Sequence, residues 1–363
     1  MKRVSNRELI PLATAFRAAL KKQKEALRDE RWAWYPYDTL SNFTHLAELL
    51  DGAGLQFCEL AGTEPLADIG CADGDLALFL ASLGCEVDAV DNPVTHHNGM
   101  RGVRLLAAAR QAPVQVHAAD LDEQWSLPRE KYPLALLLGV LYHLKNPFFT
   151  LEMLAKRSRY LLLSTRIASR FPGVGQEMTA VPAAYLVAED EMNADNSNFW
   201  IFTEAGLRRV LRRAHWEVLG LITKEAGGDD VRAYVVAESL YGLSNVELLE
   251  GFHADEGQGW RWTEPRFTLR IPVKGRAPRR ITLKVYVPDA LLDEGKLMVA
   301  LRCAGRELGA DTIALSGDHV LVRDLPAVEG AWVDVEVEVS PGLRVAGDGR
   351  MLGLILASVQ IET

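Results

Sequence analysis

Cysteine, long apolar runs and positive charge are all scarce in this chain, and each scarcity excludes something. Only four cysteines occur in 363 residues, Cys58, Cys71, Cys85 and Cys303, with no two at the spacing of a metal-binding pair. That argues against a thiolate zinc site and a disulfide-stapled secreted domain, and for a reducing cytoplasm with no metal. No run of about 18 apolar residues is present to cross a bilayer, and charges interrupt Met1 to Arg31 too often for a signal peptide. A soluble cytoplasmic protein without a membrane span is therefore expected. Lys and Arg number 40 against 49 Asp and Glu, a net charge of −9, which disfavours a protein built chiefly to capture nucleic acid electrostatically. Hydrophobic residues make up 48% of the chain, ample for the cores of two or three domains.

What is present is concentrated at Pro65 to Asp75, Pro-Leu-Ala-Asp-Ile-Gly-Cys-Ala-Asp-Gly-Asp, ahead of the apolar run Leu76 to Leu83. Leu66, Ala67 and Ile69 read as the end of a buried parallel strand. Gly70, Ala72 and Gly74 read as a tight turn opening a helix, where backbone can approach a ligand closely. Dinucleotide-binding domains use the same device, so the turn alone is unspecific. A second strand, Cys85 to Asp91, ends in an acid seventeen residues beyond Gly74, placed to accept hydrogen bonds from a ribose diol. The acids Asp68, Asp73 and Asp75 would repel phosphates and suit a cationic, phosphate-free nucleoside.

Asp68-Ile-Gly-Cys-Ala-Asp-Gly74 with Asp91 resembles motif I and the ribose acid of class I methyltransferases dependent on S-adenosylmethionine. The resemblance implies a cofactor site drawing on Asp68, Gly70, Cys71, Gly74, Asp91, Asn92 and Gly139. Asp68 and Gly70 would lie near the cofactor's amino acid end and Asp91 near its ribose. Asp120, just past the strand Val114 to His117, resembles the family's adenine-reading position, with Leu121 supplying an apolar or backbone contact. Pro133 to Pro147 is a continuous apolar run, as in a strand buried on both faces, that breaks into a polar loop at Tyr142 and His143. It resembles motif IV, and its Gly-Val-Leu-Tyr-His form is similar to that of the tRNA wobble-uridine carboxymethyltransferase group. The likeness covers about residues 60 to 240 and extends to seven strands, the number that fold requires.

The flanking segments supply candidates for the acceptor. Residues 5 to 31 carry Leu9, Leu12, Phe16, Leu20 and Leu27 at helical spacing, with Pro11 tolerable only in the first turn. The first 31 residues hold nine basic against four acidic groups, either a solvated face or a lid meeting an anionic substrate. The aromatic stretch Trp32 to Phe43 either walls a substrate pocket or fastens a helix to the core. Thr44 to Leu60 reads as one further helix. Adjacent His96 and His97 point different ways on most backbones, which speaks against a metal site built from the pair. The insertion between Arg166 and Ser197, with its polar tract Glu189 to Asn198, reads as a lid. Trp34, Tyr35, Tyr37, Asn98, Arg166, Asn198 and Trp200 are thus the candidate acceptor contacts. His143, with a reference pKa of about 6.5, is the candidate base and Tyr142 would orient the acceptor or the methyl; a structural cap on the following turn is the alternative for His143.

Past about Gly242 the texture changes. Residues 267–271, 281–287, 297–301, 319–322, 333–339 and 352–361 alternate apolar with polar positions between Gly, Pro and Asp turns, as in an antiparallel sandwich. Together with Gly259-Trp-Arg-Trp-Thr263 this resembles the β-sandwich appendages of bacterial glycan-related enzymes; Trp260 and Trp262 either stack on sugars or pack the core. The expected fold class is α/β, a Rossmann-like seven-stranded methyltransferase sheet with an N-terminal helical cap (1–59; sheet domain 60–242) plus a C-terminal all-β sandwich (243–363). The expected activity is methyl transfer from S-adenosyl-L-methionine to oxygen or nitrogen, rather than carbon, of a small-molecule or glycan-related acceptor. The alternatives are a tRNA-modifying (carboxy)methyltransferase and a non-catalytic cofactor-binding protein working through its sandwich.

Overall fold

The computed structural model describes residues 4–170, 175–189, 191, 196–225, 231–240, 246–254, 256, 260–273, 277–293, 295–328, 330–344, 347 and 349–362. They fall into two compact units, Met1–Ser239 and Leu240–Thr363.

In the first unit, α1 (Asn6–Ala26) starts at a capping box. Ser5 Oγ accepts from the Glu8 N–H, and the Glu8 carboxylate accepts from the Ser5 N–H at 2.7 Å. Pro11 lies in the second turn rather than the first, contrary to the sequence expectation. Its missing N–H costs the helix one bond, which the buried face of Leu9, Ala13 and Leu20 offsets. Two helices, α2 (Asn42–Gly52) and α3 (Phe57–Ala61), replace the single one expected over 44–60, because Gly54 turns the chain between them at φ +69°.

The sheet is built from β1 (Leu66–Ile69), β2 (Val87–Asp91), β3 (Val114–Ala118), β4 (Tyr132–Leu138) and β5 (Ser158–Ile167). Helices α4 (Asp75–Ser82), α5 (Arg101–Arg110) and α6 (Pro147–Arg157) connect them. After β6 (Ala184–Leu186), β7 (Trp200–Phe202) and α7 (Glu204–Arg213), the strands β8 (Trp216–Glu225) and β9 (Val231–Ser239) close the unit. The main order is β3-β2-β1-β4-β5-β9-β8, with β9 antiparallel to both neighbours and β1 to β5 parallel. The chain runs outward from β1 to β3 and then returns to β4. The reversal therefore falls between β1 and β4, and the carboxyl ends of these strands are the usual ligand position in such sheets.

The seven expected strands are joined by two more, one inside the insertion and one just past it. β7 pairs parallel with β5 at Ile167–Phe202, beyond the point where β4 stops pairing at Leu138–Ser164, and β6 pairs antiparallel with β7. This lays the end of the insertion across the mouth of β4. Gly173 and the positions 190 and 192–195 of that insertion lie outside the described residues.

The second unit is antiparallel throughout. It contains β10 (Glu247–Phe252), β11 (Arg261–Pro272), β12 (Arg280–Val287), β13 (Leu297–Cys303), β14 (Arg306–Ile313), β15 (Gly317–Asp324), β16 (Trp332–Ser340), the short pair β17 (Leu343–Arg344) and β18 (Met351–Leu352), and β19 (Ile355–Glu362). The long strand β11 serves three ladders: Arg261 and Trp262 pair with β19, residues 266–272 pair with β16, and β10 pairs along its other edge. Strict alternation puts Val333, Val335, Val337 and Val339 inside with Phe267, Leu269 and Ile271. Trp260 and Trp262 are half-buried and stand outside that core; Gly259 lies outside the described residues.

Candidate functional site

At the end of β1 the backbone turns through Gly70 (φ +74°), Ala72 (φ +50°) and Gly74 (φ +81°) into α4. A Cβ on Gly70 would overlap Val140 of the loop after β4, and one on Gly74 would overlap Val103 of α5. These glycines thus allow close packing of the protein on itself as well as left-handed backbone. Cys71 is buried in the same turn, and burial together with Asp91 and Asp68 pushes its thiol well above the ordinary range.

Asp91 ends β2, and both its carboxylate oxygens hold backbone: Oδ2 accepts from the Ala72 N–H at 2.9 Å and Oδ1 from the Asn92 N–H at 2.8 Å. Burial raises its pKa against the opposing pull of His96 and these N–H groups. Asn92 in turn donates through Nδ2 to Asp120 Oδ2 at 3.0 Å. Asp120 Oδ1 accepts from the Asp122 and Glu123 N–H groups, and Leu121 is buried beside it. Asp68, buried under the turn, has Oδ2 without a hydrogen-bond partner among the described residues. Its pKa is pushed up to about 7, first by burial and then by the charge of Asp91, against a hydrogen bond from the Ala77 N–H. A buried, unsatisfied carboxylate oxygen beside a second acid calls for a cation, and a carboxylate chain along the strand ends suits a nucleoside. The donor set therefore fits a cationic nucleoside cofactor.

The loop after β4 carries Gly139 (φ +78°), whose N–H donates to the Ser164 carbonyl at 2.9 Å. Tyr142 follows, with its ring 4.2 Å from that of His143 and 5.5 Å from the guanidinium of Arg166 at the end of β5. The segment leading into β7 grips this loop at three points. The Phe199 N–H donates to the Tyr142 carbonyl at 2.8 Å, the Trp200 indole N–H to the Lys145 carbonyl at 3.1 Å, and His143 Nδ1 lies 3.0 Å from both the carbonyl and the hydroxyl oxygen of Ser197. Asn198 is buried between them in sequence. A carbonyl only accepts, so the proton sits on His143 Nδ1 and the lone pair on Nε2.

His96 is the reverse case. Its Nδ1 accepts from the Asn98 and Met100 N–H groups, each at 3.2 Å, so Nε2 carries the proton and donates to the Ala72 carbonyl at 3.0 Å, 3.7 Å from Asp91 Oδ2. Sequence reasoning weighed this histidine only as a metal ligand. Its work is to hold the turn and the acid of β2 together, and the proximity of His96 to Ala72 across 24 residues has no local sequence signal.

Three groups of expected site residues have partners inside their own unit. Asp73 and Asp75 do not stand ready for an external cation: Lys24 Nζ reaches them at 3.2 and 2.7 Å. Asn98, expected at the acceptor, is spent internally on Asp73, the Ala33 carbonyl and the Gly102 N–H. Trp34 donates its indole N–H to the Lys24 carbonyl and packs on Trp32, which fastens the connector to α1. Tyr35 faces His96 and His97 with ring separations of 5.6 and 5.8 Å, while Tyr37 beside it is 69% exposed. The basic helix follows neither expected reading alone. Arg7 pairs with Asp51, Arg17 with Asp38 and Lys24 with Asp73 and Asp75, so three of its charges staple it to its own unit.

A parallel sheet reversing at β1, an antiparallel strand between β5 and β8, a glycine turn after β1 and acids closing β1, β2 and β3 define a class I methyltransferase. Residues 43–221 match the family model described as a methyltransferase domain. The first unit thus carries an S-adenosylmethionine-dependent methyltransferase domain, and a separate antiparallel all-β region follows it in the chain. No curated protein matches it. Among solved structures, it is similar to the N-terminal domain of EvdMO1 in the presence of SAH and D-fucose (20% identity, 52% of this chain and 82% of that one, TM-score 0.40). It is similar also to a putative methyltransferase from Bacillus halodurans C-125 (15%, 54% and 98%, TM-score 0.40) and to the glycopeptide N-methyltransferase MtfA complexed with S-adenosylmethionine (15%, 49% and 88%, TM-score 0.37). Identities and TM-scores this low transfer none of those proteins' activities. Among the described residues no helix is long and apolar enough to cross a membrane, and no group of three or more His, Cys, Asp or Glu is placed to hold a metal ion.

Proposed function

We propose that the acceptor is a small, glycan-related or similar molecule bearing a hydroxyl or amine, methylated in the crevice between the loop after β4 and the Ser197–Trp200 segment. The observation that carries this is the Ser197 carbonyl oxygen 3.0 Å from His143 Nδ1, which assigns the proton to that nitrogen. With Nδ1–H held by Ser197, Nε2 is the atom able to take a proton from an acceptor, at the carboxyl edge where the cofactor's methyl must face. S-adenosylmethionine supplies a sulfonium-activated methyl, so the protein's part is alignment and removal of one acceptor proton. Tyr142 orients the acceptor through its hydroxyl. Arg166, packed on the Tyr142 ring, holds that side chain at the acceptor side of the loop. Tyr35, Asn198 and Trp200 close the crevice.

On the cofactor side, Asp68 meets the cationic end, Asp91 and Asn92 the ribose, and Asp120 with Leu121 the adenine. Cys71, Gly70, Gly74 and Gly139 shape the backbone between them. Pairing of Arg7, Arg17 and Lys24 with acids of their own unit supports a small acceptor over tRNA, since those charges are then committed before any phosphate arrives. The three-part organisation, with a cap over 1–59, the sheet domain over 60–242 and the sandwich over 243–363, belongs to the same proposal. It is tested by incubating the protein with cell extract and isotopically labelled S-adenosylmethionine and reading labelled products by mass spectrometry. Labelled small hydroxy or amino compounds support the reading; label only in tRNA, or in nothing, contradicts it.

A further inference from the structure

We infer that Asp73 is a positioning residue that latches the segment Lys24–Tyr35 onto the cofactor loop, so that retention of the cofactor and placement of the aromatic strap depend on one carboxylate. This rests on the cofactor reading above. Asp73 is 1% exposed, at the loop position between Ala72 and Gly74. Its Oδ2 receives the Tyr35 N–H at 2.6 Å and lies 3.2 Å from Lys24 Nζ; its Oδ1 receives Asn98 Nδ2 at 2.8 Å. The same Asn98 nitrogen donates to the Ala33 carbonyl at 3.2 Å, and Lys24 Nζ also bridges to Asp75 Oδ1 at 2.7 Å. A Cβ on Gly102 would overlap Asp73 Oδ1, so the first turn of α5 carries a glycine where the carboxylate enters.

Apolar contact supplies adhesion to the strap but no direction. Leu20, Leu78 and Leu106 form a buried cluster on which Leu27 and Trp34 pack. A buried acid adds direction, because a carboxylate is stable there only while its donors keep their places. Its neighbour Ala72 passes the constraint on: the Ala72 N–H holds Asp91 Oδ2 and the Ala72 carbonyl holds His96. A displaced strap therefore loosens the acid proposed to hold the ribose.

The test is hydrogen exchange by mass spectrometry on the full chain with and without S-adenosylhomocysteine, together with titration of that ligand, for wild type, Asp73→Asn, Lys24→Ala and Lys24→Arg. The latch predicts faster exchange over residues 24–37 in Asp73→Asn and Lys24→Ala, unchanged exchange in β1 and β4, and ligand affinity lowered on the order of tenfold. Lys24→Arg, which keeps the charge, should restore both. Wild-type exchange and affinity in the first two variants would overturn the inference. So would a loosened strap with wild-type affinity, since the strap would then be a bystander. If Asp73→Asn fails to fold, Lys24→Ala decides, because it leaves the Tyr35 and Asn98 bonds to the carboxylate intact. If the wild type binds no S-adenosylhomocysteine, the cofactor reading fails separately, and ligand-free exchange still decides the latch: unchanged strap exchange in both variants refutes it.

Discussion

Replacing Asp68 by Asn should stabilise the first unit above pH 7 while weakening its hold on the cofactor. The wild-type carboxyl is buried, has one oxygen without a hydrogen-bond partner among the described residues, and titrates at about 7 against an ordinary 3.8. Between those values the folded protein keeps a proton that the unfolded chain gives up. Stability from this group is therefore full below about pH 4, falls as pH rises, and levels off above about pH 7. At about 1.4 kcal/mol per pH unit, the three-unit gap corresponds to an upper limit of about 4 kcal/mol. The amide sheds that cost and keeps an acceptor for the Ala77 N–H, but its unpaired Nδ2 costs about 1–3 kcal/mol. A net gain of about 1–3 kcal/mol at pH 8 remains, or a rise in Tm of about 2–12 °C for a unit of this size. Scanning calorimetry of both proteins at pH 5 and pH 8 reads it as a difference of differences: Asp68→Asn should be no more stable than wild type at pH 5 and clearly more stable at pH 8. An equal difference at both pH values would refute the argument, because the ionised carboxylate would then carry no penalty.

The same ionisation makes cofactor binding pH-dependent: a cation needs the ionised acid, so affinity should fall below pH 7 by up to about tenfold per unit, and calorimetric titration at pH 6 and pH 8 checks it. His143→Ala should lower turnover by about a hundredfold or more with cofactor affinity nearly intact, once an acceptor is known; loss of cofactor binding in that variant would make the histidine structural. Gly70→Ala should cost at least about 1–2 kcal/mol for its left-handed backbone and more for the overlap with Val140, and Val140→Ala in the same chain should recover only the overlap, as read from denaturant midpoints. A chain ending near residue 242 should remain folded and bind cofactor; aggregation would mean that the proposed boundary cuts a shared core.

The features legible in the sequence were those whose signal is local. The buried strand into Gly70, the acid closing β2 and the apolar run of β4 each occupy a few consecutive residues, and period-two alternation announced β11, β12, β13, β16 and β19. The strand β14 was missed because Arg306–Ile313 opens with three polar or half-exposed positions and no alternation. β6 and β7 were missed because three residues carry no period; only the pairing of β7 to the end of β5, and of β6 to β7, makes them strands. The contacts least legible in the sequence were those of Asp73, Asp75 and Asn98. Their partners lie 49, 51 and 65 residues away in Lys24 and Ala33, and a one-dimensional pattern cannot show which acid of a cluster is already neutralised. The tautomers of His96 and His143 depend likewise on carbonyls and N–H groups brought in by folding.

The most direct test of the central claim is calorimetric titration of S-adenosyl-L-methionine into the wild type and Asp91→Ala. The wild type should bind one equivalent, and Asp91→Ala, deprived of a charged acceptor for the ribose and of the tie to Ala72, should bind about 1.5–3 kcal/mol more weakly, roughly ten- to 150-fold. Equal affinity in the two proteins would remove the ribose acid from the site, and the placement of the cofactor along β1, β2 and β3 with it.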